Sequence, residues 1–309
     1  MRKNYALDMT CGPFFKKILI FSVPLMLTGL LQLAYNTADV VVVGRFVGKE
    51  ALAAVGSTGS LINLFVNLFI GISMGSGVVV ARHIGENNDK GVRECVHTSM
   101  LLSIFCGFFI GVLGFFTSGE MLKIMNAPDD VIDLATLYLK IYFLGSPGLM
   151  AYNFGAAIVR STGDTKRPLY ILTFSGLVNV VLNLFFVIVL KFGVSGVAIP
   201  TIISQYLSAL LIIIHLKRMN NACRLSFRSL RIHSAELRDI LKIGLPAGIQ
   251  SSLFSVSNVV IQSTVNSFGS SAMAGVAAGS NYDAYIYTCT NAISQTTMTF
   301  ASQNMGARK

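Results

Sequence analysis

Gln32, Tyr35 and Asp39 stand three and four residues apart in an otherwise apolar run from Ile18 to Val43, a spacing that puts all three on one face of a helix. A carboxylic acid in such a place is suited to cation chemistry, since it holds a cation when ionised and tolerates hydrocarbon when protonated. About 20 apolar residues at ~1.5 Å rise cross a ~30 Å hydrocarbon core, so the run reads as a membrane-spanning helix. An ionised Asp at that depth costs roughly 2.5–3.5 kcal/mol on translocon scales. The side chain must therefore face a protein-lined cavity, find partners, or carry a proton. The alternative is a shorter span whose end lets Asp39 reach the headgroups; against it, Val40–Val43 continues the apolar run before Gly44 and Arg45. Pro24, in the same run, removes a backbone hydrogen bond and favours a bend. A hinge and a titratable group thus share one helix, as a proton-operated switch requires.

The elements that carry these residues can be read from composition. The chain has 309 residues, 53% hydrophobic and 12% charged, against about 25% charged in soluble domains. This is an all-α, polytopic transmembrane bundle, with eight spans expected near 18–43, 53–81, 96–116, 132–159, 169–190, 194–216, 240–267 and 272–300. Gly71–Gly75 and Gly107–Gly111–Gly114 have the spacing that lets helices approach closely in lipid. The net charge of +10 could suggest nucleic acid, but the basic residues fall between the apolar runs. They cluster at the amino terminus and in segments 82–94, 160–167 and 217–231, with few in the alternate loops. That bias puts the amino terminus in the cytoplasm and excludes a nucleic-acid face. No cleavable signal peptide is expected. Cys11, Cys95, Cys106, Cys223 and Cys289 show no CxxC spacing and read as free thiols, and His83, His97, His215 and His233 form no metal pattern.

Segment 217–239 is polar, basic and Ser-rich and reads as a linker, either an amphipathic surface helix bearing Arg231, Glu236 and Arg238 or a solvated strand of chain. The chain beyond this linker repeats the chain ahead of it. Ile240–Pro246 echoes Ile18–Pro24 at an offset of 222, Phe268–Val276 echoes Val47–Val55 at 221, and Asn304–Gly306 echoes His83–Gly85 at 221. Six spans separate the copies, so the repeats are parallel, related by an axis along the membrane normal. The expected organisation is a first six-helix lobe at 1–216, a cytoplasmic basic linker at 217–239, and the first two helices of a second lobe at 240–309. A repeat of that length would leave the second copy four spans short, so a truncated chain is expected.

With those positions marked, the chain resembles the multidrug and toxic compound extrusion (MATE) family. The resemblance rests on Pro24, Gln32, Tyr35 and Asp39, on Gly44–Arg45, on Ala51–Gly56, on Arg160–Pro168 and on Gln303–Ala307, in that order over essentially the whole chain. It implies two six-helix lobes around a central cleft, and export of cationic or amphipathic compounds in exchange for H+ or Na+. It also implies a coupling site of Asp39, Tyr35 and Gln32 with Asn179 and Asn183 on the fifth span and Thr201 on the sixth. Asn179 and Asn183, at i and i+4, share a face of an apolar helix, although such pairs also serve as interhelical glue. Some family members carry a seventh-helix glutamate where this chain has Phe254, and an aspartate at the position of Asn183, so coupling falls to Asp39, with H+ or Na+ left open. Tyr142 and Asp283 are candidates for the substrate cleft; a structural partner role is the other reading of Asp283. Asp39, Asn179, Asn183 and Thr201 could hold Na+; no other metal and no cofactor is expected. The expected partners are a small-molecule substrate and the lipid bilayer of the plasma membrane, with the protein a monomer. The rival functions are a lipid-linked oligosaccharide flippase of related architecture and a non-transporting fragment. An enzyme is excluded by the lack of paired catalytic acids, HExxH, GxSxG or a nucleophile with its base.

Overall fold

The computed structural model describes residues 7–124, 129–267 and 270–309. Among these, nine α-helices succeed one another: α1 (Phe14–Phe46), α2 (Lys49–Gly85), α3 (Asp89–Ile124), α4 (Asp129–Leu144), α5 (Ser146–Ser161), α6 (Lys166–Leu184), α7 (Ser195–Arg218), α8 (Ser234–Ser267) and α9 (Ser270–Gly306). Among the described residues five segments, α1, α2, α3, Lys166–Val189 and α7, are long and apolar enough to cross a membrane. Large side chains such as Phe143, Phe154, Ile110, Leu139 and Ile212 are fully buried where α3, α4, α5 and α7 meet. Phe105, Phe108, Phe109 and Phe116 of α3 and Leu177 and Val181 of α6 instead point outward. A surface of that kind belongs in hydrocarbon.

One expected span is two helices. The run 132–159 breaks at Gly145, whose N–H turns back to the Tyr142 carbonyl at 2.9 Å, and α5 starts afresh with Pro147 in its first turn. Pro147 has no N–H to give to a continuing helix, and its ring disfavours helical backbone in the residue before it. The linker also differs from both expectations. It is neither a free amphipathic helix nor solvated coil: Ala222, Cys223 and Leu225 are buried, and α8 begins at Ser234. The start of α3 holds it, with Thr98 Oγ1 accepting the His233 N–H at 3.1 Å and His97 Nε2 accepting the Ser226 N–H at 3.1 Å. The join between α8 and α9 at 268–269, part of the second repeat motif, lies outside the described residues.

The repeat is visible as reciprocal packing. α1 lies against α9, and α2 against α8. A side chain at Gly85 would strike the Gln303 carbonyl, and one at Gly306 would strike the Arg82 carbonyl. These contacts exchange under the 221-residue offset, which maps Arg82 to Gln303 and Gly85 to Gly306. Both pairs are carboxy-terminal ends of their helices, so the helices run the same way about an approximate two-fold axis along the bundle, as parallel repeats require.

At that same end α2 is fastened to α8. His83 Nδ1 lies 2.9 Å from Glu86 Oε2 and its Nε2 lies 3.1 Å from Glu236 Oε2, with Arg82 Nη1 3.6 Å from Asp239. The His83 and Glu236 side chains are only 9% and 11% exposed. His83→Ala strands the Glu236 carboxylate, and we predict a loss of about 3 kcal/mol, read as an earlier detergent-unfolding midpoint; an unmoved midpoint would mean that the pair holds nothing.

Candidate functional site

α1 and α6 run side by side, and Tyr35 joins them: its ring lies on Gly176, where any side chain would collide, and its hydroxyl donates to the Thr173 carbonyl at 3.1 Å. One turn further along α1, Asp39 meets the next polar residues of α6. Asn183 Nδ2 donates to Asp39 Oδ1 and also reaches Asn179 Oδ1 at 3.3 Å. Asn179 Nδ2 lies 3.5 Å from Thr201 Oγ1 of α7, whose hydroxyl donates to the Val197 carbonyl at 2.9 Å. With its amide turned over, Asn179 donates to Asp39 Oδ1 at 3.2 Å and accepts from the Thr201 N–H at 3.3 Å. A polar chain therefore crosses three helices, from Asp39 through Asn183 and Asn179 to Thr201.

Asn183 is fully buried, and its Oδ1 has no hydrogen-bond partner among the described residues. A buried amide oxygen left unsatisfied costs free energy that a proton donor or a cation at this point would recover. One carboxylate, two amide oxygens and one hydroxyl make an all-oxygen donor set, the kind hard cations prefer. Immediately after Asn183, α6 loosens into a π-helical turn, Phe185–Val189, in which the Leu190 N–H reaches back to Phe185 at 3.2 Å. Such turns are frequent at functional sites.

Asp39, Asn179 and Thr201 form one wall of a cavity of about 270 Å³, lined also by Gln32, Tyr35, Asn36, Tyr138, Tyr142, Tyr152 and Gln205, with Asn183 buried behind that wall. Tyr138 and Tyr142 stack at 6.3 Å between ring centres. Among the described residues no Lys or Arg lines it, and no group of three His, Cys, Asp or Glu is placed to hold a metal.

The structure thus brings together Asp39, Asn179, Asn183, Thr201, Tyr35 and Tyr142, with Gln32 exposed at the margin. It does not bring Asp283 there: that residue is exposed on α9 and is not part of the lining. Pro24 is buried inside an unbroken α1, its carbonyl capped by Thr28 Oγ1 at 2.7 Å. Missed in the sequence were Ser175, Ser204, Gln205 and Ser208. Ser208 donates to Ser175 Oγ at 2.7 Å and so extends the polar seam between α6 and α7. The signal was present: Ser175, Asn179 and Asn183 recur every four residues, as do Ser204 and Ser208.

Helices around an acid-centred polar cavity, with a parallel internal repeat, define a membrane transporter. The chain belongs to the MatE family, which it matches over residues 24–185 and 246–309; the members of this family are transporters. A probable multidrug resistance protein of Bacillus subtilis, YpnP, is 29% identical over 97% of this chain and 67% of its own length. A MOP-superfamily transporter from Pyrococcus furiosus superposes with a TM-score of 0.91 at 25% identity, over 100% of this chain and 68% of its own. A MATE protein in a bent conformation gives 0.90 at 25% identity, over 97% of this chain and 67% of its own. The chain spans 67% of YpnP and 64% of its B. subtilis relative YoeA, about two thirds of each.

Proposed function

We propose that the protein works in secondary-active efflux of cationic or amphipathic compounds, exchanged for H+ or Na+ at Asp39. One observation carries the reading: the carboxylate of α1 is held by Asn183 of α6 at the wall of a cavity inside an apolar bundle. Asn179 reaches the same carboxylate with its amide turned over, Thr201 holds Asn179 in turn, Tyr35 fixes α1 against α6 one turn away, Gln32 lines the approach, and Tyr138 and Tyr142 offer aromatic faces to a lipophilic cation. With the cavity open outward, Asp39 takes the ion; neutralised, it no longer resists burial, so α1 bends at Pro24 and repacks, displacing the substrate. Release of the ion on the cytoplasmic side resets the cycle. The basic-residue bias supports a cytoplasmic amino terminus in the plasma membrane; within this proposal the protein acts as a monomer that needs the coupling ion and no cofactor. The absence of Lys and Arg from the described lining counts against a pyrophosphate-linked oligosaccharide as cargo.

The test is efflux of a fluorescent cation from vesicles under an imposed pH gradient or an imposed Na+ gradient. Failure of both gradients to drive it would end the proposal. Asn183→Asp supplies a second, like charge beside Asp39, which low dielectric disfavours unless a cation sits between the two. The variant should need less Na+ for half-maximal efflux, by about tenfold if the added attraction is ~1.4 kcal/mol. An unchanged Na+ requirement would place the ion elsewhere.

A further inference from the structure

A cavity of about 960 Å³ lies outside the membrane-spanning bundle, between the start of α3, the end of α7 and the segment that joins α7 to α8. Arg93, Lys217, Arg224 and Arg228 line it, against one acid, Asp89. Among the described residues none of these four cations makes an ion pair, although acids elsewhere on the same face are paired: Glu94 with Lys90 and His233, and Asp164 with Arg167. Four like charges gathered around one hollow repel one another unless an anion enters it.

The hollow is built rather than accidental. Its floor is pinned by Cys223 and Leu225, both buried, with the Leu225 N–H donating to the Leu216 carbonyl at 3.1 Å and the Cys223 N–H to Asn221 Oδ1 at 3.0 Å. His97 is committed at both ring nitrogens: Nδ1 donates to the Arg93 carbonyl at 2.7 Å and Nε2 accepts the Ser226 N–H at 3.1 Å. It therefore stands as a neutral strut and leaves the charge to the Arg and Lys side chains. Lys217 lies 4.8 Å over the ring of Phe227, which is 55% exposed, and Ile232, a few residues on, is 40% exposed. Exposed apolar side chains interleaved with cations at the ends of membrane helices suit the layer where headgroups begin.

We propose that this pocket binds a phosphate-bearing anion, the headgroup of an acidic phospholipid in the leaflet at the amino-terminal face. Arg224 and Arg228 clasp the phosphate, Lys217 and Arg93 neutralise it from the helix ends, and Phe227 and Ile232 dip among the acyl chains beside it. A lipid held there ties the α7–α8 connection to the membrane surface. The proposal is independent of the transport reading above, since it needs neither Asp39 nor substrate.

The test is binding of short-chain phosphatidylglycerol to the detergent-purified chain, followed by native mass spectrometry, beside phosphatidylcholine and inorganic phosphate. Phosphatidylglycerol should bind and phosphatidylcholine should not. R224Q/R228Q should weaken binding by roughly tenfold or more, whereas R224K/R228K, and K49Q/K191Q at the opposite end of the bundle, should leave it near the starting value. Equal binding of phosphatidylcholine, or equal loss in K49Q/K191Q, would overturn the proposal. Displacement of the lipid by inorganic phosphate at modest concentration would overturn the lipid assignment in favour of a soluble phosphate compound. R224K/R228K also guards against misfolding, because it keeps the charge while changing the same two positions.

Discussion

Asp39→Asn is expected to bring ion-driven efflux down to the level of vesicles that lack the protein, while the protein folds as well as before. Asparagine keeps the shape of the side chain and a carbonyl oxygen for Asn183 Nδ2, so the seam between α1 and α6 survives. What it removes is the ability to change charge. An ionised Asp in hydrocarbon costs roughly 2.5–3.5 kcal/mol, which at ~1.4 kcal/mol per decade is about a hundredfold in a conformational equilibrium. Driving a two-state protein from 1:99 to 99:1 takes about 5.5 kcal/mol, so one titrating acid can supply around half of that swing. No other acid among those lining the cavity can replace it, because none is there. The measurement pairs gradient-driven efflux with a thermal midpoint. Full efflux with Asn at this position would remove the acid from the mechanism, and a collapsed midpoint would make Asp39 a structural residue instead.

The coupling site was legible because polar groups in an apolar run have few places to go. Asp39, Asn179, Asn183 and Thr201 are each conspicuous in their helices, and burial leaves such groups little choice but to find one another. The repeat was legible for a different reason: an offset of 221 residues survives in the sequence wherever close packing needs the same small residue, as at Gly85 and Gly306. The break at Gly145 was hidden inside a continuous apolar run, where hydropathy measures burial and says nothing of backbone direction. Pro147 was its visible sign. The π-helical turn after Asn183 left no such sign in Phe185–Val189. The contact of His83 with Glu236 joins residues 153 positions apart, one in a basic loop and the other in a polar linker, and neither segment alone names the other as its partner. Asp283 shows the opposite failure, since an acid in an apolar run stands out in sequence whether or not its helix turns it toward the cavity.

Gly75→Leu should be among the most damaging single changes in the membrane region that leave the polar seam untouched. A Cβ at Gly75 would come within 2.6 Å of the Ile240 carbonyl oxygen and 2.7 Å of the Gly244 nitrogen, and one at Gly244 within 2.6 Å of the Ile72 Cα. All of these are backbone atoms, so α2 and α8 must move apart bodily to admit any side chain. Overpacking of this kind typically costs about 1–3 kcal/mol, and more where the neighbours are rigid. The repeat supplies its own control. Under the same offsets Gly75 corresponds to Thr296 and Gly244 to Ser22, and on that side α1 and α9 are joined by the two hydroxyls, 3.0 Å apart. Backbone contact on one side of the axis is replaced by a side-chain hydrogen bond on the other. Thr296→Val deletes that bond at nearly constant volume and should cost only about 0.6 kcal/mol, as interhelical bonds in membranes do. Comparing detergent-unfolding midpoints of Gly75→Leu and Thr296→Val therefore measures how differently the two sides are fastened. Equal midpoints would mean that α2 and α8 are not in backbone contact, and that both sides of the interface part with equal ease.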